Sequence, residues 1–152
     1  MLSQKSKYGL KAVTVLAREF GRGPILISEI ARREGIPRKF LELILLELKN
    51  EGILQSKKGK GGGYFLGQPP NLVSAGHVIR TLDGPIAPLP CVSKTAYMRC
   101  RECGDERTCA IRMVMQEVRD ATAKILDSTS VADMLARVDS AVSAKDPVSF
   151  LI

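Results

Sequence analysis

The chain's 152 residues suffice for one ordinary domain with a sizeable core of its own, and 45% apolar with 26% charged residues fits neither a disordered chain nor a membrane protein. No apolar run approaches the ~20 residues of a membrane span and the start MLSQKSKYG lacks the apolar core of a signal peptide, so the expected location is cytoplasmic. All of the net +7 sits in residues 1 to 75, with 13 Lys and Arg against 6 Asp and Glu, while residues 76 to 152 hold 10 against 10; a polyanion-binding half joined to a regulatory or assembling half has this profile, and so does a merely solvated basic surface.

Leu10, Val13, Ala17 and Phe20, spaced +3, +4, +3, form the apolar stripe of a first helix that Gly21 and Gly23 end. A second helix starts after Ser28, whose hydroxyl caps free N–H groups, with Glu29 favourably placed against the helix dipole and Gly35 as the stop. Ile36 and Pro37 then turn the chain into a third helix, with Phe40, Leu41, Ile44, Leu45 and Leu48 inward and Gly52 ending it. Two short helices across such a turn make a helix-turn-helix, whose second helix can lie in a DNA major groove. At the start of that helix Arg38, Lys39, Glu42 and Leu43 face outward. Arg38 or Lys39 can pair with the guanine edge, and Glu42 can accept from a cytosine amino group or repel a mismatched phosphate. An ordinary polar helix face would look the same, and Glu34 and Glu47 are assigned to that simpler role.

Ile53 to Ser56 and Tyr64 to Leu66 read as short strands flanking Lys57-Lys58-Gly59-Lys60-Gly61-Gly62-Gly63. Glycines let a backbone approach phosphate closely and the lysines neutralise it, so a hairpin placed after a helix-turn-helix reads as a wing rather than a plain flexible turn. No GxxxxGK[ST] pattern accompanies the glycines, which leaves a nucleotide-binding P-loop unsupported. Further on, His77 sits beside Val78, Ile79 and Leu82 on a fourth helix, where a structural role outweighs metal ligation.

All four cysteines, Cys91, Cys100, Cys103 and Cys109, lie in the spacing C-x8-C-x2-C-x5-C within a polar, helix-poor stretch that also holds Pro85, Pro88 and Pro90. In a reducing compartment such a cluster points to a soft-metal site rather than disulfides, and Arg99, Arg101 and Arg107 nearby should lower the thiol pKa values. Four thiolates can hold a 2Fe-2S or a 4Fe-4S iron-sulfur cluster, which tolerates uneven loops. Structural zinc usually shows two C-x2-C pairs where only one exists here, and free redox-active thiols stay open as well. A thiol-redox enzyme would place Cys100-x-x-Cys103 beside a βαβ pattern, which is missing, so no enzymatic activity is expected.

A long amphipathic helix follows, with Ile111, Val114, Met115, Val118 and then Ala121 or Ile125 on one side, suited to a dimer seam or to packing on its own domain. Ser130 caps a last helix with Val131, Met134, Leu135 and Val138 inward, and Asp146-Pro147 ends the pattern.

SKYGLKAVTVLA at the start, the Ile36-Pro37 turn into Phe40-Leu41-Glu42, and the wing GKGGGYFLG together resemble the Rrf-type winged-helix transcriptional regulators, the group of IscR, NsrR, RirA and CymR, from Leu2 to about Leu135. The resemblance implies a homodimeric bacterial transcription factor, mainly α with a small β-wing, whose long helix at about residues 107 to 127 crosses to its partner. It puts the recognition helix on Arg38 to Leu48 and the wing on Lys57 to Tyr64. Several members of the family hold an iron-sulfur cluster through three cysteines, a motif that maps to Cys91, to Cys100 or Cys103, and to Cys109. This sequence departs from that pattern in having four. Where some members borrow an acidic ligand from the partner's first helix, it reads Lys5-Ser6-Lys7-Tyr8, so the fourth cysteine is expected to replace that ligand. Cluster-free members exist too.

The expected organisation is a winged helix-turn-helix domain over 1–83, a cysteine-rich sensor loop over 84–109, dimerisation helices over 110–146 and a tail over 147–152. The expected DNA-contacting set is Ser28, Arg38, Lys39, Phe40, Glu42, Lys57, Lys58, Lys60, Gly61, Gly62 and Tyr64, and the metal set is Cys91, Cys100, Cys103 and Cys109. The partners are a near-palindromic double-stranded DNA operator and a second copy of the chain, with sensing of iron-sulfur, redox or nitrosative status; a zinc-stabilised winged-helix subunit or a cluster-free thiol-redox regulator is the alternative.

Overall fold

The computed structural model describes residues 2–145, and the Asp146-Pro147 stop and the 147–152 tail lie outside them. Helix α1 (Gln4–Arg18) starts where the Ser3 hydroxyl accepts the Ser6 N–H, and it buries Ala12, Val13, Leu16 and Ala17. The chain leaves the helix at Glu19 and turns through Gly21 at φ 83°, so Phe20 is not part of the buried stripe; it is 45% exposed. Helix α2 (Ile27–Glu34) begins two residues earlier than the cap signal implied. Leu26 occupies the N-cap position with no side-chain bond, and Ser28 lies inside the first turn, exposed, and caps nothing. Gly35 ends α2 in the left-handed conformation (φ 64°) that a Cβ would disfavour.

Helix α3 (Arg38–Asn50) packs Leu41, Ile44, Leu45 and Leu48 completely into the core. Phe40 falls outside that arc, 37% exposed, and meets the ring of Tyr8 on α1 edge to face at 5.6 Å, which corrects its inward assignment. Strands β1 (Leu54–Lys57) and β2 (Gly63–Leu66) pair antiparallel, with Leu54 opposite Leu66 and Lys57 opposite Gly63, so the first strand starts one residue later than the sequence suggested. Ile25 adds a third rung: its N–H and carbonyl each bond to Tyr64 at 2.8 Å, which ties the wing to the segment before α2.

Helix α4 (Ala75–Asp83), capped by the Ser74 hydroxyl on the His77 N–H, packs Val78 and Leu82 into the same core. His77 is half-exposed, with Nε2 3.6 Å from Glu51. The chain then runs through short 3-10 turns at Pro90–Val92 and Glu106–Thr108 before α5 (Ala110–Ser128) and α6 (Val131–Lys145). Ser130 does cap α6, through a reciprocal box in which its N–H donates to Asp133 at 2.9 Å and its hydroxyl accepts the Asp133 N–H at 3.0 Å. Val131 is buried and Met134 and Leu135 half-buried, but Val138 is exposed: only the start of α6 lies on the core, and its later turns are pinned to α1 by Arg18–Asp139 at 3.0 Å. Six helices and a two-stranded wing thus give the expected mainly α winged-helix fold. Among the described residues no helix is long and apolar enough to cross a membrane.

Candidate nucleic-acid interface and cysteine loop

The outward face of α3 and the wing flank one cleft of about 350 Å³, with Ser28, Arg38, Lys57, Lys58 and Tyr64 among its walls. Which cations are free to meet an anion there follows from the ion pairs. On α2, Arg32 and Arg33 both bond to Glu29, at 2.6 Å and 2.9 Å, and these bonds hold the Glu29 carboxyl down at about 2. Arg33 also reaches Glu19 at 3.3 Å, so the basic pair of α2 is internally neutralised. By contrast the only lysines in salt bridges among the described residues are Lys5 and Lys94. Lys39 and Lys49 on α3 and Lys57, Lys58 and Lys60 on the wing are all exposed, and Arg38 makes only a loose 3.5 Å contact with Glu42.

The wing glycines have a structural reason in addition to the expected approach to phosphate. A Cβ on Gly62 would stand 2.2 Å from the Lys57 carbonyl oxygen, and one on Gly63 would stand 2.3 Å from that of Ile25. Gly61 holds a φ of 73° at the exposed tip. These positions shape the hairpin that carries the three lysines. Lys5, in the stretch where an acidic ligand was sought, is engaged locally, 2.6 Å from Glu47 on α3.

The cysteines occupy three different settings. Cys91 is 8% exposed in the turn Pro90–Val92, Cys100 is exposed, and Cys103 and Cys109 are half-buried. Cys109 is the N-cap of α5, its sulfur accepting the Arg112 N–H at 3.5 Å. Partial burial, and then the neighbouring Cys109 and Cys100, push the Cys103 thiol up. At Cys103 this runs against the expected lowering by the arginines, of which Arg99 donates to the Gly104 carbonyl and Arg107 to Asp105. Among the described residues no three Cys, His, Asp or Glu side chains stand close enough to hold a metal ion. The four thiols suit a soft metal in chemical kind, with Glu102, Asp105 and Glu106 in the same loop, while the loop does not gather three such ligands.

Sequence reasoning missed the contacts that fasten this loop. From α5, Arg112 donates to the Cys91 carbonyl at 3.3 Å and Arg119 to the Val92 carbonyl at 2.6 Å. Their separation of seven residues puts both on one helix face, a signal visible in the sequence but lacking a partner to point to. A forked Arg80–Asp127 pair, at 2.5 and 2.9 Å, joins α5 to α4.

A family model described as Rrf2, "Iron-dependent Transcriptional regulator", matches residues 2–137. The chain belongs to the Rrf2 family. An rrf2-like HTH-type transcriptional regulator of Rhodobacter capsulatus is 47% identical over 90% of this chain and 93% of its own. The HTH-type transcriptional regulator CymR of Bacillus subtilis is 33% identical over 91% of each. Among solved structures, B. subtilis CymR, described as the global cysteine regulator, superposes with a TM-score of 0.76 over 90% of this chain and 97% of its own. T. potens IscR gives 0.74 at 28% identity, over 93% and 90%. Rrf2 membership, the winged helix and the free cations on α3 and the wing make this a DNA-binding transcriptional regulator and not an enzyme.

Proposed function

We propose that the chain acts as a homodimer on a near-palindromic operator, with the cysteine loop as its sensor. The observation that carries the reading is the join between loop and long helix: Arg112 and Arg119 on α5 hold the carbonyls on either side of the Cys91–Val92 bond, and Cys109 caps the same helix. A displacement of Cys91 withdraws two hydrogen bonds from α5, and the Arg80–Asp127 pair passes the change to α4 and the winged helix. Dimerisation is supported by α5 itself, which buries none of its nineteen residues and leaves Ile111, Val114, Val118 and Ile125 exposed. In a two-fold dimer the spacing of the two α3 helices sets the fit to successive major grooves, so a small movement at α5 changes DNA affinity.

Cys91, Cys100, Cys103 and Cys109 are the residues that would hold an iron-sulfur cluster, and the family description as iron-dependent supports one. Such a cluster would supply bonds sensitive to redox state and to nitric oxide. The buried Cys91 would have to approach the other three for the set to close. A cluster-free thiol sensor is favoured by the different settings of the cysteines, Cys91 buried and Cys100 exposed, and by similarity to CymR.

Anaerobic purification followed by a visible absorption spectrum with iron, sulfide and zinc analysis tests the choice. A brown protein with matched iron and sulfide is expected. Stoichiometric zinc in a colourless sample would make the loop a structural zinc site, and no metal after attempted reconstitution would leave thiol oxidation as the signal.

A further inference from the structure

Position by position, α3 shows a mixed outward face. Lys39, Glu42, Leu43 and Leu46 follow the +3, +1, +3 spacing of one helical stripe, opposite the buried Leu41, Ile44, Leu45 and Leu48. Leu43 is 60% exposed and Leu46 46% exposed. Two leucines side by side in water, in the middle of the helix that carries the free Lys39 and Lys49, are out of keeping with a purely solvated face. Neither belongs to the apolar surface of α5, and the helix around them is more basic than acidic: Arg38, Lys39 and Lys49 stand against Glu42 and Glu47, with Glu47 already engaged by Lys5, so a second protein copy, equally basic here, would be repelled. A polyanion suits the surroundings, and its major groove offers one apolar feature: the C5-methyl of thymine.

We infer that Leu43 and Leu46 are specificity residues that read thymine methyl groups in the operator, beside Lys39 and Glu42, which address polar base edges. Contact with a methyl removes apolar surface of both groups from water, a gain available only where the base is thymine. Operators of this protein therefore carry a thymine in each half-site at the position facing the middle of α3. The inference rests on DNA binding by α3, and its test separates the two.

Full-length protein is used to select binding sites from a random-sequence duplex library, and each thymine of the enriched duplex is then replaced singly by deoxyuridine, which removes the methyl and nothing else. Wild type is expected to lose about fourfold in affinity for each methyl it reads. Leu43→Ala and Leu46→Ala should each become indifferent to one of those replacements, while keeping wild-type affinity for non-specific duplex at low salt because their phosphate contacts and their helix are untouched. An enriched site with no common thymine, wild-type indifference at every position, or variants that keep the full deoxyuridine effect would overturn the inference while leaving DNA binding intact. Failure to enrich any sequence would overturn sequence-specific binding and this inference with it. Altered sedimentation of Leu43→Ala would also overturn it, assigning the leucines to a protein contact.

Discussion

On the proposed reading, lysine on the wing and arginine on α3 would act on DNA through different physics. Lys57, Lys58 and Lys60 are exposed and make no salt bridge among the described residues, so on a duplex each would displace condensed counterions from phosphate whatever the sequence. Replacing all three with alanine should weaken binding to every duplex and reduce the slope of log affinity against log salt by about one unit per lysine, measured by fluorescence anisotropy across salt concentrations. Arg38 stands at the first turn of α3, restrained only by Glu42, where a fork can grip one guanine. Arg38→Ala should cost about 1–3 kcal/mol at a single base pair and relax the preference there, with the salt slope nearly unchanged. The reverse pattern, with the lysines setting sequence preference, would exchange the roles of wing and helix.

At the scale of elements, the wing and the α4–α5 join each hinge on one packing fact. A Cβ at Gly62 meets the backbone oxygen of Lys57, which cannot rotate away, so Gly62→Ala should destabilise the protein by about 1–3 kcal/mol in urea unfolding. The Arg80 guanidinium holds the Asp127 carboxyl below its ordinary value of 3.8. A depressed carboxyl contributes stability that is present above the unfolded pKa and is lost as pH falls through the folded one. Asp127→Asn should thus lower the urea midpoint at neutral pH, by less than about 1 kcal/mol because the pair is half-exposed, and the difference from wild type should close as pH falls below the ordinary carboxylate range. Most element positions were legible because the periodic leucines of α3, the Ser130–Asp133 box and Gly35 act locally. Phe20, Phe40 and Val138 were placed inward because periodicity counts an apolar residue without knowing where its helix ends or what covers it. Ser28 misleads for a related reason: it is a good capping residue two positions too late, and Leu26 starts the helix without a side-chain cap. Nor could spacing reveal Arg112, Arg119 or the Arg80–Asp127 pair, since each depends on a tertiary partner 21, 27 or 47 residues away.

For the whole molecule, the charge divides along the chain: lysines without a salt bridge among the described residues gather on α3 and the wing, while the electrically neutral half holds the cysteine loop and α5, none of whose residues is fully buried. Membership of the Rrf2 family makes the chain a DNA-binding regulator, with that binding proposed for the first half. In the proposed function, the second half governs it through two copies that hold their α3 helices at a set distance. Hydroxyl-radical footprinting of the selected duplex with the full-length protein measures that distance directly. Two symmetric protected patches centred about 10 base pairs apart, on a near-palindromic sequence, are the expected result. A single patch, or protection spread evenly without symmetry, would contradict the two-fold dimer and with it the coupling of the cysteine loop to DNA affinity through α5.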